Sequence, residues 1–185
     1  IARYFKPSTI LATIIHGNHE IGSIQDLDKI GQVCKDNGVV FHADCCQSFT
    51  KVPIDVKKTN IDALTINAQK IHGPKGVGAL FINDLSLISP SFFGGLQEQG
   101  LRPGTENVPG IVGFGKATEM AIKTMHECNN HMRLLRDLLI EGLYEIEGTS
   151  INGPIGDTIL HRLPGNVNVN FHNLQGEAIM MNLSL

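Results

Sequence analysis

Three times in its first 66 residues the chain runs through a short apolar stretch and then breaks into polar, chemistry-bearing groups. Residues 8–15 are apolar and largely β-branched and lead into His16-Gly17-Asn18-His19-Glu20-Ile21-Gly22. Val39-Val40-Phe41 leads into His42-Ala43-Asp44, and residues 61–66 lead into Asn67-Ala68-Gln69-Lys70. Such runs fit pleated, buried strands. Between the first two lies a helical pattern from residue 26 to about 37, with Leu27, Ile30, Val33 and Cys34 at helical spacing, Asp26 as N-cap and Gly38 as stop. Strands alternating with helices predict an α/β fold with a mostly parallel sheet.

The rest of the chain extends this pattern. Turn residues from 73 to 78 precede a strand at 79–82, and a second Gly-rich loop runs from 94 to 104. A long helix is expected from Pro109 to about 147, with breaks near Asn129 and Asn130. Residues 166–171 alternate polar and apolar as a strand does, and 175–183 read as a helix, so a smaller second domain begins there.

Composition removes several classes of function. A formal net charge of −3 with 18% charged residues offers no basic excess for nucleic acid. No apolar run approaches the roughly 20 residues of a membrane-spanning helix, and no signal-peptide pattern opens the chain, so the reading is cytoplasmic, with an organelle as the alternative. Cys34, Cys45, Cys46 and Cys128 show no CxxC spacing and read as reduced, mostly buried thiols. His16 and His19 share a loop, while His126 and His131 are too poorly spaced for one helix face, so no metal is expected. The glycines at 73, 76 and 78 lack the order of a nucleotide-binding loop. A start at Ile1 and a stop at Leu185 inside a helix-like run suggest a piece of a longer protein.

In open α/β sheets ligands bind beyond the carboxyl ends of the strands, where His19, Asp44, Gln47 and Lys70 all fall. A lysine after a buried strand forms a Schiff base when its amine is neutral, and pyridoxal-phosphate (PLP) enzymes pair that lysine with an acid at the pyridine nitrogen. Asp44 and Lys70 fit as that pair, Gln47 can reach the ring's phenolic oxygen, and polar groups near Lys70 can hold the phosphate.

Several segments resemble the cysteine desulfurase family of class V, fold type I PLP enzymes. They are Asn18-His19-Glu20-Ile21-Gly22, His42-Ala43-Asp44-Cys45-Cys46-Gln47, Lys70-Ile71-His72-Gly73-Pro74-Lys75-Gly76-Val77-Gly78 and Arg102-Pro103-Gly104-Thr105-Glu106-Asn107. Leu163-Pro164-Gly165-Asn166 and Gln175-Gly176-Glu177 are similar to its small-domain segments. The resemblance implies that residues 1–112 belong to the large cofactor-binding domain and 113–185 to the linking helix and an incomplete small α+β domain. It implies PLP on Lys70, with Asp44 at the pyridine nitrogen, Gln47 at the phenolic oxygen, and Thr105 reaching the phosphate of the neighbouring subunit's cofactor in a homodimer. The implied substrate is L-cysteine, converted to L-alanine, with sulfur passed to an enzyme persulfide and then to an acceptor such as an iron-sulfur scaffold protein.

The chain departs from the family in places. His19 stands where a cofactor-contacting Asn is usual, Gln69 where a His precedes the lysine, and Asn67 where a Ser binds phosphate. None of the four cysteines matches the persulfide-forming one, and the family's remaining loops fall outside residues 1–185, so this chain alone is expected to be inactive. Two other readings are kept: a selenocysteine lyase or other class V PLP enzyme, and a catalytically impaired dimeric scaffold motivated by His19 and Gln69.

Overall fold

The computed structural model describes residues 1–155 and 161–184. The small-domain expectation over 113–185 is therefore followed on those residues, and its last residue, Leu185, lies outside them. Four strands form the main sheet: β1 (Leu11–Ile15), β2 (Val40–Asp44), β3 (Ala63–Asn67) and β4 (Gly78–Ile82), in the order β1-β2-β3-β4. β1, β2 and β3 run parallel, with Asp44 opposite both Ile15 and Thr65. β4 runs antiparallel to β3. The sheet is mostly parallel, as the sequence pattern predicts, and the reversal has a plain cause. Only residues 68–77 separate β3 from β4, fewer than the dozen or more that a parallel crossover needs.

Strand β1 begins three residues later than residue 8, because Lys6 and Thr9 close a turn: Thr9 N donates to Lys6 O at 2.9 Å and Lys6 N to Thr9 Oγ1 at 2.9 Å. Helix α1 (Leu27–Asp36) starts where Asp26 predicts, its carboxylate accepting from Lys29 N at 3.1 Å. The apolar stripe of α1 covers one face of the sheet, where Leu27 and Cys34 pack with Ala12, Phe41, Ala43 and Leu64. Gly31 permits the approach, since a Cβ there would collide with the carbonyl of Thr59.

Helix α2 (Val108–Tyr144) is one continuous element of 37 residues, capped by Asn107, whose side chain accepts from Gly110 N at 3.1 Å. Pro109 near its start fits, because the first-turn N–H groups have no intrahelical partner. The expected breaks at Asn129 and Asn130 are absent. Asn129 is buried, and its side-chain amide donates to the carbonyls of Lys51 and Thr50 at 3.0 and 3.5 Å, so a tertiary contact replaces the local competition that asparagine usually brings. Near the helix start Phe114 packs on Ala68 and Ile71, tying α2 to the end of β3.

The smaller sheet pairs β5 (Thr149–Ile151) with β6 (Val169–Phe171) antiparallel, followed by α3 (Gly176–Leu183). The sequence pattern marks β6 and α3 but not β5, which is only three residues long. Of the cysteines, Cys34 and Cys45 are buried, Cys46 is half-buried and Cys128 is exposed, which corrects the expectation for Cys128. Its neighbour Asn129 takes the inward-facing position on α2. Among the described residues no helix is long and apolar enough to cross a membrane.

Candidate functional site

The pleat of β2 sorts its side chains between two faces. Phe41 and Ala43 point into the core against α1, so Val40, His42 and Asp44 point the other way. Because paired residues of parallel strands share a face, Thr65 lies beside Asp44, and Asn67 follows two residues on. Asp44 ends β2, and its carboxylate Oδ1 accepts from Cys46 N at 3.0 Å. Its backbone carbonyl accepts from His16 N at 2.9 Å, which joins the end of β2 to the loop after β1.

That loop is held from below and from above. Below it, His16 is buried, with Nδ1 2.8 Å from Ser48 Oγ, and burial lowers the imidazole to about 4, so it is neutral at physiological pH. Ser48 Oγ donates to Cys45 O at 3.3 Å, which leaves its lone pair for the His16 Nδ1–H. The Cys45 thiol lies 3.8 Å from the same nitrogen, but burial pushes it up to about 12, so it stays protonated. Above the loop, Asn166 donates from Nδ2 to the carbonyls of His19 and Glu20, both at 2.9 Å. Gly22, at φ 76°, sits where a side chain would strike Arg162 and Asn166. Arg162 is itself buried and donates to the carbonyls of Pro154 and Asn166 at 2.9 Å, and to Asn166 Oδ1 at 3.0 Å.

The side chains that project from this framework meet in a cavity of about 170 Å³, lined by His19, Gln47, Lys51, Met132, Leu163, Gly165 and Asn166. Lys51 is half-buried, and burial, with the Lys70 ammonium nearby, holds it below the ordinary lysine range. Lys70 itself lies in the single turn Gln69–Ile71 that follows β3, anchored by the buried Ile71.

The structure thus brings His19 and Gln47 into one cavity and sets Asp44 and the Lys70 turn at the ends of adjacent strands. Gln69 and Lys70 are both exposed, and neither lines the cavity. Thr105 is exposed three residues before α2 and does not line the cavity. Asn67 carries a buried Oδ1 that no other group satisfies, the one such side-chain atom found among the described residues. An orphaned amide oxygen at the carboxyl end of β3 fits a site whose remaining partner is a hydrogen-bond donor on a ligand. The donor set present here, a carboxylate, two lysines, an imidazole and two amides, fits PLP. Among the described residues no cluster of three His, Cys, Asp or Glu side chains can hold a metal.

Sequence reasoning missed Lys51, His16 and Ser48 as parts of the site, and gave no role to Asn166. Asn166 lies 147 residues from His19, and its neighbours Leu163, Pro164 and Gly165 were the only signal that it mattered.

Comparison with known proteins gives a consistent result. The family model described as aminotransferase class-V matches residues 1–184. The cysteine desulfurase IscS of Methanosarcina thermophila is 47% identical over 179 residues, covering 97% of this chain and 43% of that protein. A solved NifS-like protein superimposes with a TM-score of 0.91 at 36% identity, over 99% of this chain and 49% of that one. The structure described as SspA in complex with cysteine superimposes with a TM-score of 0.77 at 35% identity, over 99% of this chain and 49% of its own. The chain therefore spans about half the length of the proteins it matches.

Proposed function

This chain belongs to the aminotransferase class-V family, whose members depend on PLP, and from that premise we propose that the protein is a cysteine desulfurase with Lys70 as its cofactor lysine. The observation that carries the reading is the placement of Lys70 in the turn after β3, beside the strand end that carries Asp44. The cysteine-bound relative supports the choice of L-cysteine as substrate.

When bound, the cofactor supplies an electron sink that stabilises negative charge at the substrate's α-carbon. The chain's own residues set the terms of that chemistry. Asp44 would pair with the ring nitrogen and favour its protonated form, and Cys46 N fixes one of its oxygens. Gln47 would offer an amide N–H to the phenolic oxygen, Asn67 would donate from Nδ2 to the phosphate, and His19 would contact the ring from the loop that Asn166 holds. Lys70 would hold the cofactor and, once exchanged off it, would carry a proton to and from the substrate's α-carbon. Gln69, exposed beside Lys70, flanks the same turn.

We assign the sulfur-receiving thiol to none of the four cysteines. Burial raises Cys34, pushes Cys45 up to about 12 and is the main reason Cys46 stands near 11, which suppresses the thiolate that sulfur transfer requires, while Cys128 is exposed on α2 and does not line the cavity. By the family resemblance Thr105, which is exposed and does not line the cavity, would reach the phosphate in a neighbouring subunit, making the proposed working unit a homodimer. The sulfur goes on to an acceptor protein such as an iron-sulfur scaffold, in the cytoplasm. Residues 1–112 form the large domain and 113–185 the linking helix and part of the small one, with the boundary inside the first turns of α2.

The test is covalent. Incubation with PLP followed by borohydride and peptide mapping labels Lys70, and Lys70→Ala abolishes the label; a label elsewhere, or none, defeats the proposal.

A further inference from the structure

Six non-glycine residues among those described have a positive φ, and Thr50, at 62°, is the β-branched one among them. A β-branched residue in the left-handed region is strained, and such strain persists only where the surroundings over-determine it. The surroundings here are explicit. Lys51 N and Val52 N both donate to Ser48 O at 2.9 Å, and Asn129 donates from α2 to the carbonyls of Thr50 and Lys51. Asn129 is 5% exposed and lies 78 residues along the chain from Lys51. Two carbonyls of one strained turn are thus held by a single amide from a distant helix.

The result is the placement of Lys51. Its side chain lines the cavity together with His19 and Gln47. Among the described residues neither Lys51 nor Lys70 has a carboxylate within ion-pair distance, although the chain forms such pairs at Lys29, Lys58, Lys116 and Arg136. A half-buried ammonium with a second ammonium near it and no counter-charge is unfavourable unless an anion arrives.

We propose that Lys51 is an oxyanion-binding residue of this site and that Asn129 is its positioning residue. The ligand group is a phosphate or a carboxylate held in a charge-assisted hydrogen bond. The proposal rests on the PLP reading for its two sources: the phosphate of the cofactor and the carboxylate of the amino-acid substrate.

Two affinity ratios separate the sources and cancel general damage to the fold. PLP against pyridoxal isolates the phosphate, and 3-mercaptopropionate against cysteamine, titrated into the cofactor-loaded protein, isolates the carboxylate. In Lys51→Met one ratio falls about tenfold or more, the size of a lost charge-assisted hydrogen bond. Lys51→Arg keeps most of it, and Asn129→Ala moves the same ratio in the same direction by a smaller factor. A fall in the first ratio assigns the phosphate, and a fall in the second assigns the carboxylate. If Lys51→Met leaves both ratios within about twofold of the parent, the oxyanion role is overturned. If Asn129→Ala leaves the affected ratio unchanged, its positioning role is overturned. Should the parent protein take no cofactor at Lys70, the PLP reading fails separately. Inorganic phosphate then serves as the probe: binding lost in Lys51→Met supports the inference, and binding absent or unaffected overturns it.

Discussion

The two faces of the main sheet are built by the same strands and have opposite characters. Toward α1, Phe41 and Ala43 are fully buried with Leu27, Cys34 and Leu64 in an apolar layer. On the other face the same β2 turns Asp44 outward, beside Thr65 and near the orphaned amide oxygen of Asn67 at the end of β3. A period of two residues is enough to place stability on one side of a backbone and chemistry on the other. Damage to one face should therefore leave the other largely intact, and that separation can be attacked directly.

The largest expected effect is on the apolar face. Phe41→Ala removes a ring with no solvent exposure and should cost about 3–5 kcal/mol, read from urea unfolding. If the protein still folds at low temperature, cofactor labelling at Lys70 persists. Loss of labelling in a folded variant would break the separation.

Next in size is a pH effect at the boundary between the faces. His16 is held near 4 in the folded chain, below the ordinary 6.5, because burial penalises the imidazolium. The unfolded chain then binds the extra proton in that window, so the contribution is complete above pH 6.5 and is lost as pH falls toward 4. The loss should approach about 3 kcal/mol. His16→Asn, which can still donate to Ser48, should flatten this dependence in a series of unfolding curves from pH 7.5 to 4.

Asp44→Asn tests the polar face. An amide oxygen can still accept from Cys46 N, so stability should change by no more than about 1 kcal/mol. The visible absorption of bound cofactor and its affinity should change strongly. Smallest of all is Asp26→Ala, which removes the N-cap of α1 at about 1 kcal/mol and should leave the cofactor spectrum untouched.

These differences also explain what was legible in the sequence. Helix α1 was fully so, because its cap, its apolar spacing and its stop are local signals. The strand ends at Asp44 and the Lys70 turn were legible for the same reason: an apolar run followed by a polar break. The direction of β4 was not, since an apolar run carries no arrow and only the short return from β3 sets it. Asn129 misled, because an asparagine in a helix usually weakens it and nothing nearby in sequence reveals the Thr50 and Lys51 carbonyls it serves. Lys51 and Asn166 were hidden likewise: their roles come from contacts between distant segments, which periodicity cannot express.

Helix α2 links the two sheets as one long rod. At 1.5 Å per residue it is about 55 Å long. It is gripped at Phe114 by the end of β3 and at Asn129 by the strained turn, and its far end holds β5 through Thr149 Oγ1, which donates to Leu143 O at 2.8 Å. The two grips divide the rod so that the Tyr144 end lies about twice as far from Phe114 as Asn129 does. A rigid tilt of α2 about Phe114 would by this geometry displace the β5–β6 end about twice as far as Asn129.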